Sequence, residues 1–316
     1  MASQIAEISS QPSIHLPITM TAPFPSPTST WHTSTYQSLS PTRPELSAQG
    51  KNVLVTGGGS GIGAETARYF AEAGASRIAL LGRREKPLLD IKSSIEHRFP
   101  SVKVFVAATD ITNKSEVDGA FAKFVGEQKL HVLVNSAAIV GPQESVQDVD
   151  GDRFLEAVQV HLKGSLFIAQ AFLRHSSTDA VAIEINSSAA HINFSAALAS
   201  YSVAKLAVFR LWDSLAFANP GLSVFHVQPG VINTAMNKEA GGVDAVGFED
   251  NVSLPGSFNL WLASREAKFL RGKFLWANWD VDELKARANE IESSAELCIG
   301  LVGWPFGDPS WKATWN

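Results

Sequence analysis

The sequence predicts a doubly wound α/β fold, a parallel sheet of about seven strands in a single domain, on the strength of three features. From Lys51 onward, short apolar runs alternate with longer amphipathic ones. The short runs are apolar throughout, as strands covered on both faces are. They end on glycine or small polar residues, at the strand ends where such sheets bind ligands.

The elements follow in order. KNVLVTG reads as a first strand, and GIGAETARYFAEAGA as a helix that opens on glycines. RIALLGRR and VKVFVAATD are the second and third strands, separated by the helix PLLDIKSSIEHRF and followed by the helix around KSEVDGAFAKFVGEQ. HVLVNSAA is the fourth strand, and DRFLEAVQVHLKGSLFIAQAFL the helix after it. AVAIEINSS is the fifth strand, a helix containing Tyr201 follows, and LSVFHVQPG and GKFLWAN are the sixth and seventh strands. No repeat or second domain interrupts the alternation. The stretch from Met236 to Ser257 is aperiodic and reads as a loop. Asp280 with Glu283 reads as a capping pair that starts the helix VDELKARANEI. The tryptophans at 276, 279, 304 and 311 read as packing residues.

Composition narrows the function. A net charge of −5 without a basic stripe argues against nucleic acid as a partner. No apolar run approaches the roughly 18 residues of a membrane span. The single Cys298 excludes an internal disulfide and fits a reducing compartment. Residues 1–45 are crowded with Ser, Thr and Pro, a composition that buries too little apolar surface to offset ordering entropy. They read as a disordered or loosely docked tail ahead of a domain at 46–316, with the part before about Pro41 dispensable for folding and cofactor binding; Trp31, His32 and Tyr36 are its candidates for packing. The first basic residue is Arg43, so the tail carries neither a charged signal region nor an Arg-rich transit peptide. A cytoplasmic protein with a small-molecule substrate is expected, without a metal and compatible with a homo-oligomer.

The turn TGGGSGIG lies between a strand and a helix. There Gly57, Gly61 and Gly63 permit a tight turn, and the helix N-terminus offers free N–H groups to a phosphate. Ser60 and Ile62 belong to the same dinucleotide-binding turn. At the end of the second strand, where a carboxylate would take the ribose 2′-hydroxyl of NAD, the chain has Gly82, Arg83 and Arg84. Guanidinium groups there favour a 2′-phosphate, hence NADP(H). Tyr201 and Lys205 stand four apart, on one face of their helix. Alone, that spacing also suits a solvated surface pair.

The order TGGGSGIG, NSAA, Ser188, YSVAK and PGVINT resembles the short-chain dehydrogenase/reductase family, from Lys51 to the last strand. WHTSTY, PTRPELSAQGK and FLWANWDVDEL further resemble fungal members associated with secondary metabolism. The resemblance implies a Rossmann-type sheet and an NADP(H)-dependent oxidoreductase interconverting a ketone and a secondary alcohol. It also implies roles for particular residues. Tyr201 is the acid or base. Lys205 lowers the phenol's pKa, ordinarily about 10, and holds the nicotinamide ribose. Ser188, with Ser187 as the adjacent fallback, orients the substrate oxygen. Thr234 and Ile232 hold the carboxamide, Asp110 and Ile111 meet the adenine, and Asn135 and Ala137 line the cofactor channel. The aperiodic stretch after PGVINT covers the substrate.

The chain departs from the family pattern in three places. His161 stands where an asparagine usually kinks a helix and joins a proton relay; it is either a relay member that titrates near 6.5 or a core residue. NSAA puts Ser136 and Ala138 where Asn and Gly are common, and His131 replaces a residue that is usually acidic. A lyase, isomerase or cyclase on the same fold, and a non-catalytic dinucleotide-binding module, are the alternatives.

Overall fold

The computed structural model describes residues 22–301. Its core is a seven-stranded sheet in the order β3-β2-β1-β4-β5-β6-β7, every pairing parallel. The elements are β1 (Asn52–Thr56), α1 (Gly61–Glu72), β2 (Arg77–Gly82), α2 (Glu85–Arg98), β3 (Lys103–Ala108) and α3 (Lys114–Val125). They continue with β4 (Leu130–Asn135), α4 (Gly151–His175), β5 (Ser176–Ile185), α5 (Ala199–Ala218) and β6 (Ser223–Gln228). The chain then forms α6 (Ala235–Glu239), α7 (Ser253–Leu262), β7 (Phe274–Trp276) and α8 (Val281–Ala286). Strand order reverses between β1 and β4, which opens a crevice at their carboxyl ends.

Alternation along each strand divides the core between the two faces. Val53 and Val55 of β1 point to one face, where they pack with Phe70 of α1 and Trp261 of α7. Leu54 points to the other and packs with Phe121 of α3, Phe172 of α4 and Trp212 of α5. Because both faces are covered, the strands needed to be apolar throughout, and that is why they could be recognised. Among the described residues, no helix is long and apolar enough to cross a membrane.

The N-terminal stretch corrects the expectation of a disordered tail. Residues 1–21 lie outside the described residues, but from residue 22 the chain is docked on the domain. Leu39 and Leu46 are fully buried in the same core as Phe70. Trp31 forms an antiparallel bridge with Trp279. His32 stacks on Tyr36 with ring centroids 3.5 Å apart, and its Nε2 lies 2.8 Å from the Asp280 carboxylate. Arg43 donates to Glu266 at 2.7 Å. The physical reason is economy: a few rings and leucines supply the burial, and the many Ser and Thr groups find partners in place of water.

Glu283 supplies one of those partners. Asp280 caps α8 as expected, accepting from the amides of Asp282 and Glu283. The Glu283 carboxylate, however, accepts from the amides of Ser29 and Thr30 at 2.6 and 2.9 Å and from the Ser29 hydroxyl. It anchors the N-terminal segment. The loop read up to Ser257 ends earlier, because α7 begins at Ser253 and accommodates Pro255 in its first turn. Trp276 and Trp279 are buried and stacked, as packing residues should be; Trp304 and Trp311 lie outside the described residues.

Candidate active site

Two joined clefts occupy the carboxyl edge of the sheet. The first, of about 310 Å³, runs over the turn between β1 and α1. Gly57, Ser60, Gly61 and Ile62 line it, together with Arg83, Arg84, Asp110, Ile111, Ala137 and Thr234. Gly57 and Gly61 have φ of 68° and 53°, the left-handed region that glycine enters without strain. Gly63 backs the turn: a Cβ there would lie 2.5 Å from the Gly57 carbonyl oxygen. The cradle therefore fits a dinucleotide's phosphates, which need close backbone approach at a helix N-terminus.

Arg83 and Arg84 are exposed at the end of β2. Glu85, the nearest acid in sequence, lines a separate groove. Asp110 is held below the usual carboxylate range, chiefly by hydrogen bonds from the Thr112 amide and hydroxyl, with the Arg83 charge contributing less.

The second cleft, of about 590 Å³, shares Ile62, Ser136, Ala138, Thr234 and Met236 with the first. Ser187, Ser188, Tyr201, Lys205 and Ile232 line it. Tyr201 and Lys205 share one face of α5, with the Lys205 ammonium 5.6 Å from the Tyr201 ring centroid. Lys205 is buried and donates to the Ile185 carbonyl at 2.7 Å. That bond ties α5 to the end of β5. Ser188 is buried in the turn after β5, where its amide donates to the Gln228 side chain at 2.8 Å.

His161 projects from α4 to the same place. Its ring meets that of Tyr201 edge-on at 5.9 Å, and its Nε2 lies 2.8 Å from the Ile139 carbonyl oxygen, a contact that requires the proton on Nε2. Burial first, and then the Lys205 charge, lower its pKa to about 4. The ring is thus neutral at pH 7, which departs from the reading of a relay member titrating near 6.5 and favours the other reading, a core residue. Because the folded pKa lies below the ordinary one, the stability gained from the neutral ring is present above about pH 6.5 and lost as pH falls toward 4. Denaturant midpoints measured across that window should fall with pH more steeply for the native protein than for His161→Asn. A turnover inflection near 6.5 that vanished in the variant would contradict this.

Asn135 also differs from expectation. It lies beneath the channel, where its side chain accepts from the Thr56 hydroxyl at 3.0 Å and donates to Ser165 at 3.2 Å. The Thr56 oxygen in turn accepts from the amides of Ser136 and Ala137. Together they fix the ends of β1 and β4 below the cleft. Three supports carried no motif in the sequence. Gln228 holds Ser188, and the buried Asn186 donates to Glu184 and to the Lys205 carbonyl. Asp250, also buried, accepts from the Val231 amide at 2.8 Å and so fixes the turn after β6.

Known proteins are similar to this chain in sequence and in fold. A family profile described as short chain dehydrogenase matches residues 51–242. The short chain dehydrogenase/reductase AacuD of Aspergillus aculeatus is 34% identical over 87% of this chain and 96% of its own. A short chain dehydrogenase/reductase of Claviceps purpurea is 32% identical over 88% of this chain and 95% of its own. Among solved structures, a dehydrogenase/reductase from Sinorhizobium meliloti superposes with a TM-score of 0.66 at 27% identity, covering 76% of this chain and 97% of that one. A short-chain type dehydrogenase/reductase from Mycobacterium marinum gives 0.67 at 25% identity, over 75% and 97%.

Proposed function

The chain belongs to the short-chain dehydrogenase/reductase family, and from that premise we propose an NADP(H)-dependent enzyme that interconverts a ketone and a secondary alcohol on a small organic molecule. It is an oxidoreductase of a family that binds a nicotinamide dinucleotide. One observation carries the finer reading: Ser188, Tyr201 and Lys205 line a cleft that opens into the glycine cradle at Ile62 and Thr234.

In reduction, Tyr201 gives its phenolic proton to the carbonyl oxygen; in oxidation it takes that proton from the alcohol. The Lys205 ammonium lies on the same helix face, 5.6 Å from the Tyr201 ring centroid, where it can stabilise negative charge that develops during the transfer. The Ser188 hydroxyl orients the substrate oxygen on a turn held by Gln228. His161, neutral, adds no competing charge beside the phenol. Gly57, Ser60, Gly61, Ile62 and Gly63 form the cofactor's phosphate cradle, Asp110 and Ile111 its adenine side, Ala137 a wall of its channel, and Ile232 and Thr234 its carboxamide side. When bound, the nicotinamide supplies or accepts the hydride.

The exposed Arg83 and Arg84, with no carboxylate at the end of β2, support a 2′-phosphate and hence NADP(H). NADPH is expected to bind at least about tenfold tighter than NADH, since a hydrogen bond to a charged group contributes roughly 1.5–3 kcal/mol. Arg83→Asp should reverse the order. Fluorescence titration of both cofactors checks this, and equal affinities in the native protein would overturn the assignment. Exposed Leu166, Leu173, Val203 and Leu206 on α4 and α5 favour a homo-oligomer. The relatives' fungal origin supports a place in secondary-metabolite biosynthesis.

A further inference from the structure

We propose that the N-terminal segment is the outer wall of the substrate cleft, and that Phe24 selects uncharged substrates bearing an aromatic ring. The inference rests on the reading of the second cleft as the substrate site. Pro23 and Phe24 line that cleft together with Tyr201 and Ser188, although more than 160 residues separate them in sequence.

The Phe24 ring is the centre of an aromatic cluster. It meets Trp276 at 5.2 Å, Phe194 at 5.8 Å and Phe248 at 5.9 Å, all in tilted or edge-on geometry. Phe194 comes from the stretch between β5 and α5, Phe248 from the segment after α6, and both also line the cleft. Three separate stretches of chain thus converge on one aromatic surface. Such edge-on arrangements extend readily to one more ring.

Phe24 is held there by anchors a few residues along. Ser29 and Thr30 are fixed on Glu283, Trp31 bridges Trp279, and the His32 amide donates to the Asn278 carbonyl at 2.8 Å. A wall anchored this firmly loses little entropy when substrate binds.

Charge points the same way. Among the described residues lining the cleft, Lys205 is the one charged side chain, and it is already engaged with Ile185 beside Tyr201. A carboxylate or phosphate on the substrate would have only that ammonium to pair with, drawing it from Tyr201, and anywhere else in the cleft it would be buried unpaired, which is costly. The volume of about 590 Å³ lies within the common range for drug-sized ligands, about 300–1,000 Å³.

The test uses the full chain loaded with NADPH and four probes: α-tetralone, fluorenone, benzoylformate and cyclohexanone. Binding by calorimetry and turnover are measured for the native protein, Phe24→Ala and Phe24→Leu. The two fused-ring ketones should bind best, and Phe24→Ala should weaken them about tenfold, the scale of a lost aromatic contact. Phe24→Leu should recover part of that loss. Cyclohexanone and NADPH affinities should be unchanged, which separates loss of the wall from loss of the fold.

Fused-ring binding that ignored Phe24→Ala would overturn the proposal. So would benzoylformate binding as well as α-tetralone, or the absence of fused-ring binding to the native protein. Fused-ring binding that depends on Phe24 but gives no turnover would uphold the wall and sink the redox reading instead.

Discussion

Tyr201→Phe is expected to cut turnover about 10²-fold or more, the scale of general acid–base catalysis, while leaving the fold and cofactor affinity unchanged. The substitution removes one hydroxyl and keeps the ring. The edge-on contact with His161 at 5.9 Å and the Lys205 ammonium at 5.6 Å are both contacts of that ring, so packing should survive. What goes is the hydroxyl proposed to donate the proton. His161 cannot take over, since its pKa of about 4 leaves it neutral at pH 7 and its Nε2 proton is committed to Ile139. Steady-state turnover beside a cofactor titration gives the answer, and normal turnover in the variant would move the proton transfer to another residue.

The second large effect is expected from Gly63→Ala. The added Cβ would sit 2.5 Å from the Gly57 carbonyl oxygen, 3.0 Å from its carbon and 3.4 Å from Gly58 Cα. All three are backbone atoms and cannot swing aside. Gly57 is itself closely backed, since a Cβ built on it would lie 3.1 Å from the Ala137 amide nitrogen. The cradle itself must therefore shift. Overpacking of this kind costs about 1–3 kcal/mol, which, taken from cofactor binding, weakens affinity by roughly fivefold to 150-fold. Gly119→Ala in α3 is the control: nothing lies within 4 Å of its added Cβ, so affinity should hold and stability rise slightly. A Gly63→Ala protein that bound cofactor normally would show that the first cleft is not the phosphate site.

The sheet and the glycine-lined cleft were legible because the fold's own physics writes them into the sequence, whereas the second cleft came through the family resemblance. Strands covered on two faces must be apolar throughout, and a backbone that approaches a phosphate must be glycine, as at Gly57 and Gly61. What was not legible depends on contacts between distant segments. Leu39 and Trp31 are isolated apolar residues in a polar stretch, and only the surface left around α7 and Trp279 makes them core. Glu283 has the spacing of a capping partner, but the amides of Ser29 and Thr30 compete for it and win. Asn135 lies in a strand-end motif, a place that suits a residue facing the cofactor. Its partners, Thr56 and Ser165, come from β1 and α4, and no local pattern announces them. The pKa of His161 likewise depends on burial and on Lys205, 44 positions away in the sequence.

The central claim is that this cleft moves hydride between cofactor and carbonyl, with Tyr201 handling the proton. The most direct measurement follows the absorbance of reduced nicotinamide while the native protein meets a panel of ketones, with product identified in the same samples. The account predicts that NADPH is consumed in equal amount to the secondary alcohol formed, and that Tyr201→Phe slows both together. A product formed with no net change in NADPH, at a rate indifferent to Tyr201→Phe, would contradict it and place a non-redox reaction in the cleft.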